Sequence, residues 1–186
     1  MLVQGRAEAK NVRDLQAAIA SSDDDARDES AVVVTGTRVS RSRSLERGDW
    51  NACTVNDPDR RLGRCRKLAD RAPKDLRNQV ESYLSDGLQQ AWNGEPDGAI
   101  AAFEAAIKAA PDLPIAYLNR GLVYDRQGKS AAAIADLNLA VRLSPKSARA
   151  YYNRSVLLRK YGEVERARAD EQQAVKLDVR YNDIVK

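Results

Sequence analysis

"DRQGKSAAAIADL", Asp125 to Leu137, decides the fold. Gly128-Lys129-Ser130 ahead of an alanine-rich run is how a phosphate-binding loop ends, which would place the segment in an α/β nucleotide-binding domain. That loop also needs a glycine five residues before its second one, so that backbone N–H groups can turn inward around the phosphates. The position is Val123, a β-branched residue ill suited to such backbone, and residues 115–127 read as a helix rather than a strand. The other reading is a turn between two helices, with Gly128 as the turn residue and Ser130 as N-cap of the second helix.

Comparing the chain with itself decides between the two. At a spacing of 34 residues Gly128 falls in line with Gly94 and Gly162, Ala133 with Ala99 and Ala167, and Ala140 with Ala106 and Ala174. Tyr83, Tyr117 and Tyr151 align, as do Gly87, Gly121 and Ser155; Pro111 and Pro145 align, with Val179 breaking the series. The units begin at Val80, Pro114 and Ala148. Each predicts an amphipathic helix, a turn at the glycine, and a second helix stopped by proline. No unit can bury its apolar face alone, so neighbours must stack. The Lys-Ser does not recur in "WNGEPDGA" or "KYGEVERA", which leaves Gly128 as a turn residue and removes the nucleotide site.

With an aromatic, a small residue four later, then Gly, Ala, an apolar residue, Ala and Pro at set positions, residues 80–181 resemble the tetratricopeptide-repeat family. The resemblance implies an all-α fold, a right-handed superhelical stack of antiparallel helix pairs whose first helices line a concave groove. It implies inward-facing Leu84, Leu88 and Trp92 in the first unit, Leu118, Asn119, Leu122 and Arg126 in the second, and Arg149, Tyr152, Asn153, Val156 and Arg159 in the third. Such a groove suits an extended or helical peptide: apolar anchors on Leu and Tyr, backbone amides on Asn119 and Asn153, and acidic groups on Arg149, Arg159 and Lys160. The alternative is that the chain's own N-terminal tail covers part of it. One subgroup of the family clamps acidic chaperone tails. Asn119 and Arg149 match that clamp, but Leu84 and Leu88 replace its Lys and Asn, and Asn153 replaces its Arg, so tail binding is not expected. Glu171, where an apolar residue is usual, and Val179, where proline is, mark the third unit as terminal.

Residues 51–79 read as a capping segment. "RLGRCRKLADRAP", Arg61–Pro73, places Leu62, Cys65, Leu68, Ala69 and Ala72 on one helical face, and Cys65 and Ala72 stand 34 residues before Ala99 and Ala106, like the worn second helix of an earlier unit. Cys53 and Cys65 are either bridged, pinning the loop around Trp50 to the cap, or two buried thiols. Residues 1–50 are polar and charged in "SSDDDARDES" and "VSRSRSLERGD" and are expected to be flexible and largely disordered, with residues 182–186 a short tail. Between those runs, "AVVVTGTR", Ala31–Arg38, is β-prone and resembles the opening of the plug domain of TonB-dependent outer-membrane receptors; the other reading is a fortuitous patch.

Composition narrows function further. The chain has no histidine, which removes the commonest general base and metal ligand, and two cysteines are too few for a structural zinc site. Carboxylates read as scattered surface charge with no acid/base couple. No enzyme, cofactor or metal is expected. The last third is basic and the first unit acidic, which makes nucleic-acid binding a poor rival. A weak end at Val179 makes self-association, as a homo-oligomeric envelope scaffold, another. No stretch predicts a membrane span or a signal peptide. The cysteine pair and the plug-like run favour the periplasm or cell envelope, with the cytoplasm as alternative. The expectation is a non-enzymatic adaptor that binds a protein or peptide partner.

Overall fold

The computed structural model describes residues 31–34, 37–40, 52–65 and 68–185, divided between one unit over residues 1–43 and another over 44–186. In the first, β1 (Ala31–Val34) pairs antiparallel with β2 (Thr37–Ser40), Val32 opposite Val39 and Val33 opposite Arg38. The β-prone run Ala31–Arg38 thus holds the first strand and the start of the second. The second strand takes in Val39 and Ser40, which the composition alone assigned to a polar linker.

In the second unit, six helices form three antiparallel pairs: α1 (Arg77–Asn93) with α2 (Pro96–Ala109), α3 (Pro114–Arg126) with α4 (Ser130–Leu143), and α5 (Ala148–Lys160) with α6 (Val164–Leu177). Proline begins α2 and α3, where its missing N–H costs nothing. The turn inside each pair is set by one glycine in the left-handed region, Gly94, Gly128 or Gly162, at φ 84°, 74° and 84°. One residue later a backbone N–H reaches back to close the preceding helix: Glu95 to Gln90 O at 2.9 Å, Lys129 to Tyr124 O at 2.9 Å, and Glu163 to Leu158 O at 2.8 Å. Ser130 is not the N-cap. Lys129 occupies that place without a side-chain bond, and Ser130 is the first helical residue, as Pro96 and Val164 are in their pairs.

The small residues let helix approach helix. A Cβ on Gly121 would lie 2.4 Å from Leu137 Cδ1 and 3.1 Å from the Ala133 carbonyl oxygen, leaving no room for a methyl group. Ala99, Ala133 and Ala167 are fully buried, as are Ala106, Ala140 and Ala174, with Phe103 and Leu137 filling the space between pairs.

Two carboxylates taken for surface charge are buried. Asp136 accepts from Arg120 Nε and Nη2, both at 2.8 Å, and Asp170 accepts from Arg154 Nε and Nη2, both at 2.7 Å, so each pin joins the two helices of its pair. Tyr117 and Tyr124 flank Arg120, and Tyr151 flanks Arg154, each ring centroid 5.7 Å from the guanidinium carbon. The bond to the carboxylate raises both arginine pKa values. The first unit has no such pin, since Asp86 and Ala102 stand in the corresponding positions.

Both ends depart from the repeat. The Arg61–Pro73 stretch, expected to be a helix, gives a 3-10 turn at Leu62–Arg64 and further turns closed by Ala72 N–H to Ala69 O and Leu76 N–H to Pro73 O. These i to i−3 bonds bury Cys65, Ala69 and Ala72 without the i to i−4 ladder of an α-helix. At the other end a 3-10 helix, Val179–Asp183, folds Tyr181 onto Ala174 and against the Tyr152 ring, 5.5 Å between centroids.

Candidate peptide groove

The first helices α1, α3 and α5 carry the residues expected to face a partner. In the first two pairs those residues hold a piece of the same chain. Leu84, Leu88 and Leu122 are at most 1% exposed and Leu118 3%, and Val55, itself 1% exposed, joins their apolar cluster. The occupant, Ala52–Asp57, is fixed mainly through its backbone. Asn119, fully buried, donates from Nδ2 to Cys53 O (3.4 Å) and to Ile115 O (3.1 Å), while its Oδ1 accepts the Val55 N–H at 2.9 Å. This is the two-way amide contact expected of Asn119, made to the chain itself. Trp92 Nε1 donates to Thr54 O at 3.2 Å. Arg126 donates to Val55 O, to Asn56 Oδ1 and to Ala91 O, and Arg60 closes the far end on Trp92 O. Burial, then the neighbouring positive charge of Arg60, hold the Arg126 pKa below its ordinary value.

Within the occupant, the buried Asp57 carboxylate accepts the Cys53 N–H at 2.8 Å and the Asp59 N–H at 2.9 Å, folding the segment into a tight turn. A disulfide joins Cys53 to Cys65. Trp50, which the bridge was expected to pin, lies outside the described residues.

The third pair is not covered in this way. Val156, at the position of Leu122, is 45% exposed. Asn153, at the position of Asn119, makes the same bond to its own helix, Nδ2 to Arg149 O at 2.9 Å, and no described residue donates to its Oδ1. Beside them lies a depression of about 400 Å³ lined by Tyr152, Val156, Arg159, Lys160, Glu171, Ile184 and Val185. Its cations are already engaged. Arg159 binds Glu171 with both oxygens, Lys160 Nζ reaches Asp125 Oδ1 at 2.7 Å, and Tyr161 donates to the same oxygen at 2.6 Å. Arg149 packs near Tyr181, whose hydroxyl pKa is raised first by burial. An incoming carboxylate would have to displace Glu171 or Asp125.

The pinned Arg120–Asp136 and Arg154–Asp170 pairs were missed in the sequence, although both recur at the 34-residue spacing. The seat of Ala52–Asp57 left no such signal.

A tetratricopeptide-repeat model matches residues 93–148 and again 126–178. These helix pairs are tetratricopeptide repeats. Among solved structures, the first such domain of Spaghetti (RPAP3) bound to the HSP90 peptide SRMEEVD is 25% identical, covers 58% of this chain and 88% of that one, and superposes with a TM-score of 0.54. The first such domain of human RPAP3 is 26% identical over 57% of this chain and 86% of that one, TM-score 0.53. The TPR2B domain of yeast Sti1, in a complex with pHsp70, is 25% identical over 56% and 83%, TM-score 0.52. No curated protein matches the chain. In the described residues no helix is long and apolar enough to cross a membrane.

Proposed function

We propose that this tetratricopeptide-repeat protein is a non-enzymatic adaptor that captures an extended peptide segment of a partner protein in its concave groove. The observation that carries the reading is Asn119, which already holds a peptide backbone from both sides of its amide. Similar domains solved with the HSP90 peptide SRMEEVD and in a complex with pHsp70 support a role in binding protein partners. In the third repeat an apolar side chain of the partner would cover Val156 and Tyr152, and its backbone would reach Asn153, itself 3% exposed, once the side chains over that amide move aside. Because Arg159 and Lys160 are paired, the groove favours apolar and amide-bearing segments over strongly acidic ones.

The same pairing argues against nucleic acid. Arg120, Arg154, Arg159, Lys160, Arg166, Arg168 and Arg180, half of the cations of the basic third, each have a carboxylate neighbour, so fewer remain to neutralise phosphate. The disulfide supports an oxidising compartment such as the periplasm. Alkylation of free thiols in protein isolated without reductant tests this, and two labelled cysteines would sink it.

A random peptide library selected on the full chain tests the groove. Enriched peptides are expected to lose at least about tenfold in affinity on Val156→Asp or Asn153→Ala, and nothing on Val179→Asp, which is exposed outside the groove. Enriched peptides indifferent to Val156→Asp and Asn153→Ala would move the site elsewhere.

A further inference from the structure

We propose that Ala52–Asp57 is an intramolecular ligand of the first two repeats, latched by the Cys53–Cys65 disulfide, and that opening the latch hands the Asn119 site to a partner peptide of matching chemistry. This rests on reading the groove as a peptide site.

The segment is held as a bound peptide is held. Asn119 reads the Cys53 carbonyl and the Val55 N–H, Trp92 the Thr54 carbonyl and Arg126 the Val55 carbonyl, while a single side chain, Val55, fills the apolar floor. Backbone contacts of this kind accept a chain that can take the same turn, with a β-branched apolar residue in the Val55 place and an amide-bearing residue after it, where Asn56 meets Arg126. The seat is also strained. Cys53 within the segment and Arg60 beyond it sit at φ 61° and 50°, in the left-handed region that side chains disfavour, a conformation that works against the seated form.

The disulfide counters that tendency by closing a loop with a sequence separation of 12. A loop of this size restricts the detached state enough that cutting it loosens the segment on the order of 100-fold. The cut itself is thiol–disulfide exchange. A thiolate of a dithiol reductant attacks one sulfur to form a mixed disulfide, and the second thiolate of the reductant displaces it. Two electrons and two protons end on Cys53 and Cys65 as thiols, and the reductant leaves as its own disulfide. Cys53 is 7% and Cys65 4% exposed, which shields the bond until the segment breathes.

Hydrogen exchange on the full chain, oxidised and reduced, tests the latch. On reduction, the Val55 amide should exchange on the order of 100-fold faster while amides inside α1 and α3 keep their protection. A fluorescent peptide with the sequence of residues 52–59, serine replacing Cys53, should bind the reduced chain and not the oxidised one, and Asn119→Ala should weaken that binding at least about tenfold. Unchanged exchange at Val55, helix unfolding together with reduction, or probe binding that ignores either redox state or Asn119→Ala would each overturn the proposal. Because the probe is the chain's own segment, this result is independent of whether a library peptide engages the third repeat.

Discussion

The second and third repeats present one set of positions in two conditions. Asn119 and Leu122 lie beneath residues of their own chain, whereas among the described residues none donates to Asn153 Oδ1 and Val156 is 45% exposed. The helices are the same length, and the turns repeat to the residue. What differs is a segment from outside the repeats. Facing the groove in this architecture therefore does not by itself mean available: Leu84, Leu88, Leu118 and Leu122 are inward in register and core in energy.

Substitutions sharpen that contrast. Leu88→Ala should cost about 2–5 kcal/mol, the range for emptying a fully buried leucine site, while Val156→Ala should stay within about 0.5 kcal/mol. Urea unfolding measures both, and equal costs would erase the distinction between the covered and open halves. Next, Asp170→Ala removes one member of a pair whose arginine and aspartate side chains are 17% and 7% exposed. It should destabilise by about 3 kcal/mol through the uncompensated Arg154, and replacing both residues with apolar ones should recover most of the loss. If the single and double variants unfold alike, the pin holds nothing. The smallest effect concerns the terminal cap. Burial raises the Tyr181 pKa, so its contribution to stability is full below the ordinary tyrosine value and declines as pH rises through the raised one. The hydrogen bond to Asp125 raises the Tyr161 pKa as well, so tyrosinate absorbance followed against pH should show two tyrosines ionising late in the wild type, and Tyr181→Phe should remove one of the two.

The fold was legible because its determinants recur. Glycine at a left-handed turn, alanine at a helix crossing and proline just past a helix end each leave the same letter 34 residues apart, and stacking follows from the apolar faces. The Arg120–Asp136 and Arg154–Asp170 pins carry the same recurrence but look like ordinary surface charge until the partner helix is in place. The occupied groove was legible only as an alternative. Its contacts are made chiefly by the carbonyls and N–H groups of residues 53–55, which every residue has, so no letter marks them. The cap misled for a related reason: Cys65, Ala69 and Ala72 bury themselves as a helix would bury them, through turns that the apolar spacing does not distinguish.

The bridge between Cys53 and Cys65 turns the stretch between them into a covalent ring. A protease that nicks the exposed Pro58–Arg61 run would leave two ends still tied through sulfur, with Val55 in place against Asn119. Cleavage there leaves the latch closed, and the occupant departs only once the sulfur link is opened.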